Sequence, residues 1–119
     1  MLRTSVGLAL SLGLLAAPAL AEVHYVLLMG DGYFPEYVYP AIGDQVKFVN
    51  ESDVAMAATA TDGSWTPGAM APGTAVLVSV TDGMTQTFVD SENTAGLAAG
   101  TIDYQNPPPL DLENNASSN

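Results

Sequence analysis

The sequence predicts an all-β chain: a Greek-key β-sandwich of about seven or eight short antiparallel strands. Two observations carry that expectation. Apolar residues recur mostly with period two, and no window holds the period of a long amphipathic helix. Turn dipeptides punctuate the chain at intervals of roughly ten residues, the spacing of short strands joined by tight connections. A third observation sets how such a fold is held. The chain has no Cys, so a packed core rather than disulfides must stabilise it, which is feasible at about 90–100 residues.

The elements follow in order. VHYVLLM, residues 23–29, is apolar on both faces and reads as a central strand. GDG then turns. EYVYPAI, residues 36–42, alternates weakly and contains Pro40, which assigns it to an edge. After Gly43-Asp44, QVKFVN at 45–50 puts Val46 and Phe48 on one face and Lys47 on the other. VAMAATAT, residues 54–61, reads as a strand of small residues closed by Asp62-Gly63. TAVLVSVT at 74–81 follows the Pro72-Gly73 turn, and MTQTFV at 84–89 follows Asp82-Gly83. GTIDY, residues 100–104, is last.

The two ends read differently. Residues 1–21 carry one Arg, an apolar run and an A-x-A site at Ala19-Leu20-Ala21, the pattern of a secretory signal peptide cut after Ala21. Residues 22–104 form the domain. The Pro-, Asn- and Ser-rich stretch 105–119 lacks the apolar content to order itself. The expected location is periplasmic or secreted, with no membrane insertion after cleavage. The whole chain carries thirteen Asp and Glu against two Lys and Arg, for a net charge of −11. Such a surface repels nucleic acid and anionic lipid, and it attracts a basic protein partner.

Three stretches together resemble one family. DGYFPEYVYPAIGDQVKFVN resembles the N-terminal half of a cupredoxin, with its Phe-x-Pro segment and its Gly-Asp-x-Val-x-Phe-x-Asn strand. ATDGSWTPGAMAPGTAVLVSV resembles the middle of the small bacterial members. DGMTQTFVDSENTAGLAAGTIDY resembles the last hairpin, where a ligand loop precedes a Gly-Thr-Ile strand. The order and spacing of the three carry the likeness, which spans about residues 23–104. It implies a Greek-key sandwich and, in the family at large, a blue-copper site of two His, one Cys and an axial Met.

In the register that the resemblance implies, the first His falls on Met56, the Cys on Val89, the second His on Thr94 and the axial Met on Ala98. A shorter loop moves the second His to Ala95. None of these is His or Cys. Valine has no thiolate, and neither threonine nor alanine replaces imidazole. The sequence therefore implies a degenerate member with no type 1 copper, no electron transfer and no cofactor.

Other residues offer further candidate sites. Met29, Met56, Met70 and Met84 offer thioethers for Cu(I), although methionine also fills irregular gaps in cores. After cleavage, Glu22-Val23-His24 offers an amine, two amides and an imidazole to Cu(II), unless strand pairing engages the same amides. Asp90, Glu92 and Asn93, with Glu51 and Asp53, offer oxygens to Ca²⁺ but lack a spaced calcium-loop pattern. No base stands beside a nucleophile, and no Gly-rich phosphate loop is present. Trp65 reads as packed against the sandwich. Asn50-Glu51-Ser52 matches a glycosylation sequon. The expectation is a binding or structural module rather than an enzyme, and the alternative is a copper carrier using His24, Met56 and Met70.

Overall fold

The computed structural model describes residues 20–110. Residues 1–19 of the expected signal segment and 111–119 of the expected tail lie outside the described residues. Eight strands follow in order: β1 (Val23–Leu28), β2 (Tyr33–Phe34), β3 (Tyr37–Val38), β4 (Gln45–Asn50), β5 (Thr59–Ala60), β6 (Ala75–Ser79), β7 (Thr87–Val89) and β8 (Ala99–Ile102). They make two four-stranded sheets, ordered β2-β1-β4-β6 and β3-β8-β7-β5. The described residues contain no helix long and apolar enough to cross a membrane.

The sheets are mixed, which corrects the expectation of wholly antiparallel pairing. β1 runs parallel to β4, and β3 runs parallel to β8. The reason lies in the connection from β1 to β4. A parallel return needs a long crossover, and residues 29–44 supply one by pairing briefly as β2 and then crossing to the other sheet as β3. The sequence reading missed β2, because two residues between a turn and Pro35 show no period. β3 is an edge strand, as Pro40 predicted.

β4 follows its alternation. Val46, Phe48 and Asn50 are buried, while Gln45, Lys47 and Val49 are half-buried. The core fills from both sheets with Val26, Leu28, Val46, Phe48, Phe88 and Ile102. Phe88 is its centre. Its ring meets Phe48 edge-on at 5.3 Å and Tyr33 at 4.8 Å, centroid to centroid, an arrangement suited to aromatic quadrupoles. Trp65 leans on Phe48 and Phe88 and donates its indole N–H to Thr85 O at 2.8 Å. Gly100 lies against the Phe88 ring so closely that a Cβ there would collide with it.

The expected strands at 54–61 and 84–89 are both cut short for one physical reason: side chains capture backbone groups that a ladder would need. Within the expected strand 54–61, Asp90 Oδ1 accepts the Ala57 N–H at 2.9 Å, Tyr33 Oη donates to Ala57 O at 2.6 Å, and Asn50 Nδ2 donates to Val54 O at 2.9 Å. Only Thr59 and Ala60 pair regularly, beside an isolated bridge between Met56 and Met70. Likewise, Tyr104 Oη and Trp65 Nε1 donate to Met84 O and Thr85 O, so the expected strand 84–89 begins at Thr87.

Candidate functional site

The loop-bearing pole of the sandwich lies where β1, β4 and β7 end and β8 begins. Met56 sits beneath it, fully buried, and its Sδ accepts the Gly30 N–H at 3.1 Å. Its backbone exchanges two hydrogen bonds with Met70, at 3.1 and 2.7 Å. Asn50, also fully buried, joins three segments. Its Nδ2 donates to Val54 O and Met70 O, and its Oδ1 accepts from the Ser52 N–H and hydroxyl. That amide is not accessible as a glycosylation acceptor.

Burial along the end of β7 alternates: Phe88 in, Val89 half out, Asp90 in. The inward residue facing the Met56–Ala57 segment is therefore Asp90. Its Oδ1 accepts from the Ala57 N–H at 2.9 Å and the Glu92 N–H at 3.0 Å. Burial, and after it the Asp90 charge, push the Tyr33 phenol well above its ordinary range. Val89 instead faces the outside of the second sheet. There, with Tyr37, Ala99 and the 94 % exposed Leu97, it walls a shallow cleft of about 240 Å³. Ala98 is half-buried against the core, while Thr94 and Ala95 are exposed.

Cupredoxin-type copper does not fit these residues. The inward groups at this pole are a thioether and a carboxylate, each already accepting backbone N–H bonds. The chain has no cysteine to supply a thiolate. Of the four methionines, Met56 lies beside Met70 and, through its Sδ on the Gly30 N–H, next to the Met29 segment. Met29 opens the turn closed by Gly32, and Met84 lies in a turn beyond β6, its Sδ near the Thr81 N–H. Among the described residues, the one group of three or more His, Asp or Glu with converging ligand atoms is Glu22, His24 and Asp44. The oxygens that Asp90, Glu92, Glu51 and Asp53 offer form no such group among the described residues, and the Asp90 Oδ1 accepts two backbone amides.

The sole His lies at the opposite pole. His24 Nε2 is 3.0 Å from Asp44 Oδ2 and 3.9 Å from Glu22 Oε1. Asp44 also accepts the Glu22 N–H at 3.0 Å and the Ala41 N–H at 2.9 Å. The Glu22 and Ala41 amides, then His24, hold its carboxyl down from the ordinary 3.8 to about 2. Gln45 N–H donates to Glu22 O, and the parallel pairing of Val23 with Gln45 directs the His24 N–H to the same strand. Sequence reasoning missed Asp44, which stood only as a turn residue, and misjudged Asp90, which stood only as an oxygen donor of the final loop. The alternation that buries Phe88 signals Asp90; nothing local signals Asp44.

No protein-family model and no curated protein sequence matches the chain. Solved structures do. A purple cupredoxin from Nitrosopumilus maritimus superposes with a TM-score of 0.54 at 12 % identity, over 67 % of this chain and 99 % of that one. A pseudoazurin from Sinorhizobium meliltoi gives 0.51 at 17 % identity, over 77 % of this chain and 79 % of that one. A copper-containing nitrite reductase from Thermus scotoductus SA-01 gives 0.59 at 18 % identity. The match covers 78 % of this chain and 24 % of the reductase, so this chain spans about a quarter of that length. The fold is the cupredoxin fold, as the sequence resemblance implied.

Proposed function

We propose that this chain is a periplasmic or secreted cupredoxin-fold binding module whose loop-bearing pole docks a basic protein partner. It transfers no electrons and catalyses no reaction. One observation carries the reading: the inward groups at that pole, Met56 Sδ and Asp90 Oδ1, bond to the amides of Gly30 and Ala57. They complete the fold instead of awaiting a metal. Above them the surface is apolar and acidic. Met29, Val54 and Leu97 are about half to fully exposed, and Asp31, Glu51, Asp53 and Glu92 on the same loops are exposed as well. Apolar anchors rimmed by one sign of charge suit an oppositely charged protein, whose approach the field accelerates. Leu97, 94 % exposed, supplies the anchor.

Two measurements test this. Titration with Cu(II) and Cu(I) is expected to give no intense visible band. Immobilised chain is expected to retain a basic protein at low salt and release it at high salt, and Leu97→Asp is expected to retain markedly less. Equal retention by Leu97→Asp, or an intense blue band, overturns the reading.

A second reading, a copper carrier, draws support from the Met56–Met70 bridge. Directly opposed residues lie on one face with Cβ atoms about 4.5–5.5 Å apart, and both side chains are buried. Tight Cu(I) binding lost in Met56→Leu favours it. Cu(II) binding confined to a chain beginning at Glu22 favours the Glu22-Val23-His24 chelate instead.

A further inference from the structure

We propose that Glu22, His24 and Asp44 form a site for a divalent cation of the zinc class, at the pole opposite the loops. This does not rest on the docking reading. The donors are one imidazole nitrogen and two carboxylate oxygens, a set that suits Zn²⁺ and leaves a position for water. At Zn–ligand bonds of about 2.0–2.2 Å, tetrahedral donors stand about 3.3 Å apart. His24 Nε2 lies 3.0 Å from Asp44 Oδ2 and 3.9 Å from Glu22 Oε1, on either side of that spacing. All three ligand atoms fall within 4.8 Å of one another.

Each donor is held or free in a way that favours a cation. Asp44 is buried, and its carboxylate is oriented by N–H groups of Glu22 and Ala41 from two sides. Such supporting bonds fix a ligand's orientation without occupying all its lone pairs. His24 is fixed on β1, paired along its length with β4, and its side chain is 23 % exposed. The Glu22 side chain is 75 % exposed and free to close the short remaining gap. Capping the 41–44 turn requires Asp44 alone; it does not explain an imidazole and a second carboxylate turned onto the same atoms. Beside Glu22 and Asp44 the surface is open, in a cleft of about 350 Å³ whose wall includes Leu20 and Ala21 of the expected signal segment. The chain's net charge of −11 raises the local concentration of cations.

The test uses the full 119-residue chain and Zn²⁺ alone, by calorimetry and by the thermal unfolding midpoint. In that chain Glu22 has no free amine, so the N-terminal chelate cannot form and the two sites are distinguished. One Zn²⁺ per chain is expected, with a rise in midpoint on binding. His24→Ala and Asp44→Asn are each expected to weaken binding at least about tenfold, Glu22→Gln less, and Asp53→Asn at the other pole not at all. Ca²⁺, which prefers all-oxygen sites, is expected not to compete. Should Asp44→Asn fail to fold, His24→Gln keeps a polar partner for Asp44 and removes the imidazole. Zn²⁺ binding unchanged in His24→Gln overturns the proposal. So does the absence of saturable one-to-one binding, or an equal loss in Asp53→Asn.

Discussion

The two poles of the sandwich meet the same requirement in opposite ways. Each must close the ends of strands whose backbone groups have no further partners. At the loop-bearing pole, buried side chains do it from beneath: Asn50, Met56, Tyr33 and Asp90 each bond backbone of a neighbouring loop. At the opposite pole one carboxylate, Asp44, gathers Glu22, Ala41 and His24 near the surface. The first arrangement consumes its donor atoms within the fold. The second leaves an imidazole and an exposed carboxylate converging beside an open cleft. A fold shared with copper proteins therefore does not decide which end carries metal chemistry; the side chains left over after closing each end decide it.

Both poles rest on one core, so the largest expected effect is shared. Phe88→Ala removes the ring that meets Phe48, Tyr33 and Trp65, and is expected to cost about 3–5 kcal/mol in denaturant unfolding. Gly100→Ala attacks the same contact by overpacking, at about 1–3 kcal/mol. Loss confined to one pole would show that the poles do not share this support.

Asp90→Ala separates the poles. It strands the buried Ala57 N–H, at an expected cost of about 1–3 kcal/mol. Hydrogen exchange should quicken at Ala57 and Glu92 and stay unchanged at Gln45, whose N–H bonds Glu22 O. Equal quickening at Gln45 would mean that the poles are coupled.

Acid sharpens the other side. The Asp44 carboxyl is lowered from 3.8 to about 2 in the folded chain. Its contribution is therefore fully present above the unfolded value and is lost as pH falls from near 3.8 through about 2. Asp62, held to about 2 by Ser64 and Thr85, titrates in the same window, so Asp44→Asn should flatten the acid transition only in part. An acid profile identical to that of the unaltered chain would show that the bonds at Asp44 carry no stability. The smallest effect is expected at Leu97→Asp. Its side chain is 94 % exposed, so stability should change by no more than about 0.5 kcal/mol, while retention of a basic partner falls.

Much of this was legible because the physics was local. Period two placed β4 over residues 45–50, the observed span. Gly43 and Gly83, named as turn residues, have φ of 100° and 84°, a region that favours glycine. Pro40 marked an edge. What stayed hidden involved pairs distant in sequence. The strand expected at 54–61 is cut short by Asp90 and Tyr33, 33 and 24 residues from Ala57. In the register that the resemblance implies, the Cys position falls on Val89, whereas it is Asp90 that burial turns inward.

By itself, the sequence determined that the chain is all-β, that a cysteine-free core must hold it, and that no thiolate is available to a metal. These follow from residue type and period, which need no knowledge of neighbours. Tertiary structure decided that the sheets are mixed, that Met56 and Asp90 are spent on backbone amides, and that His24 meets Asp44 across 20 residues of chain. Those outcomes depend on which strand ends share a pole, and that is fixed when the crossover from β1 to β4 packs the two sheets together.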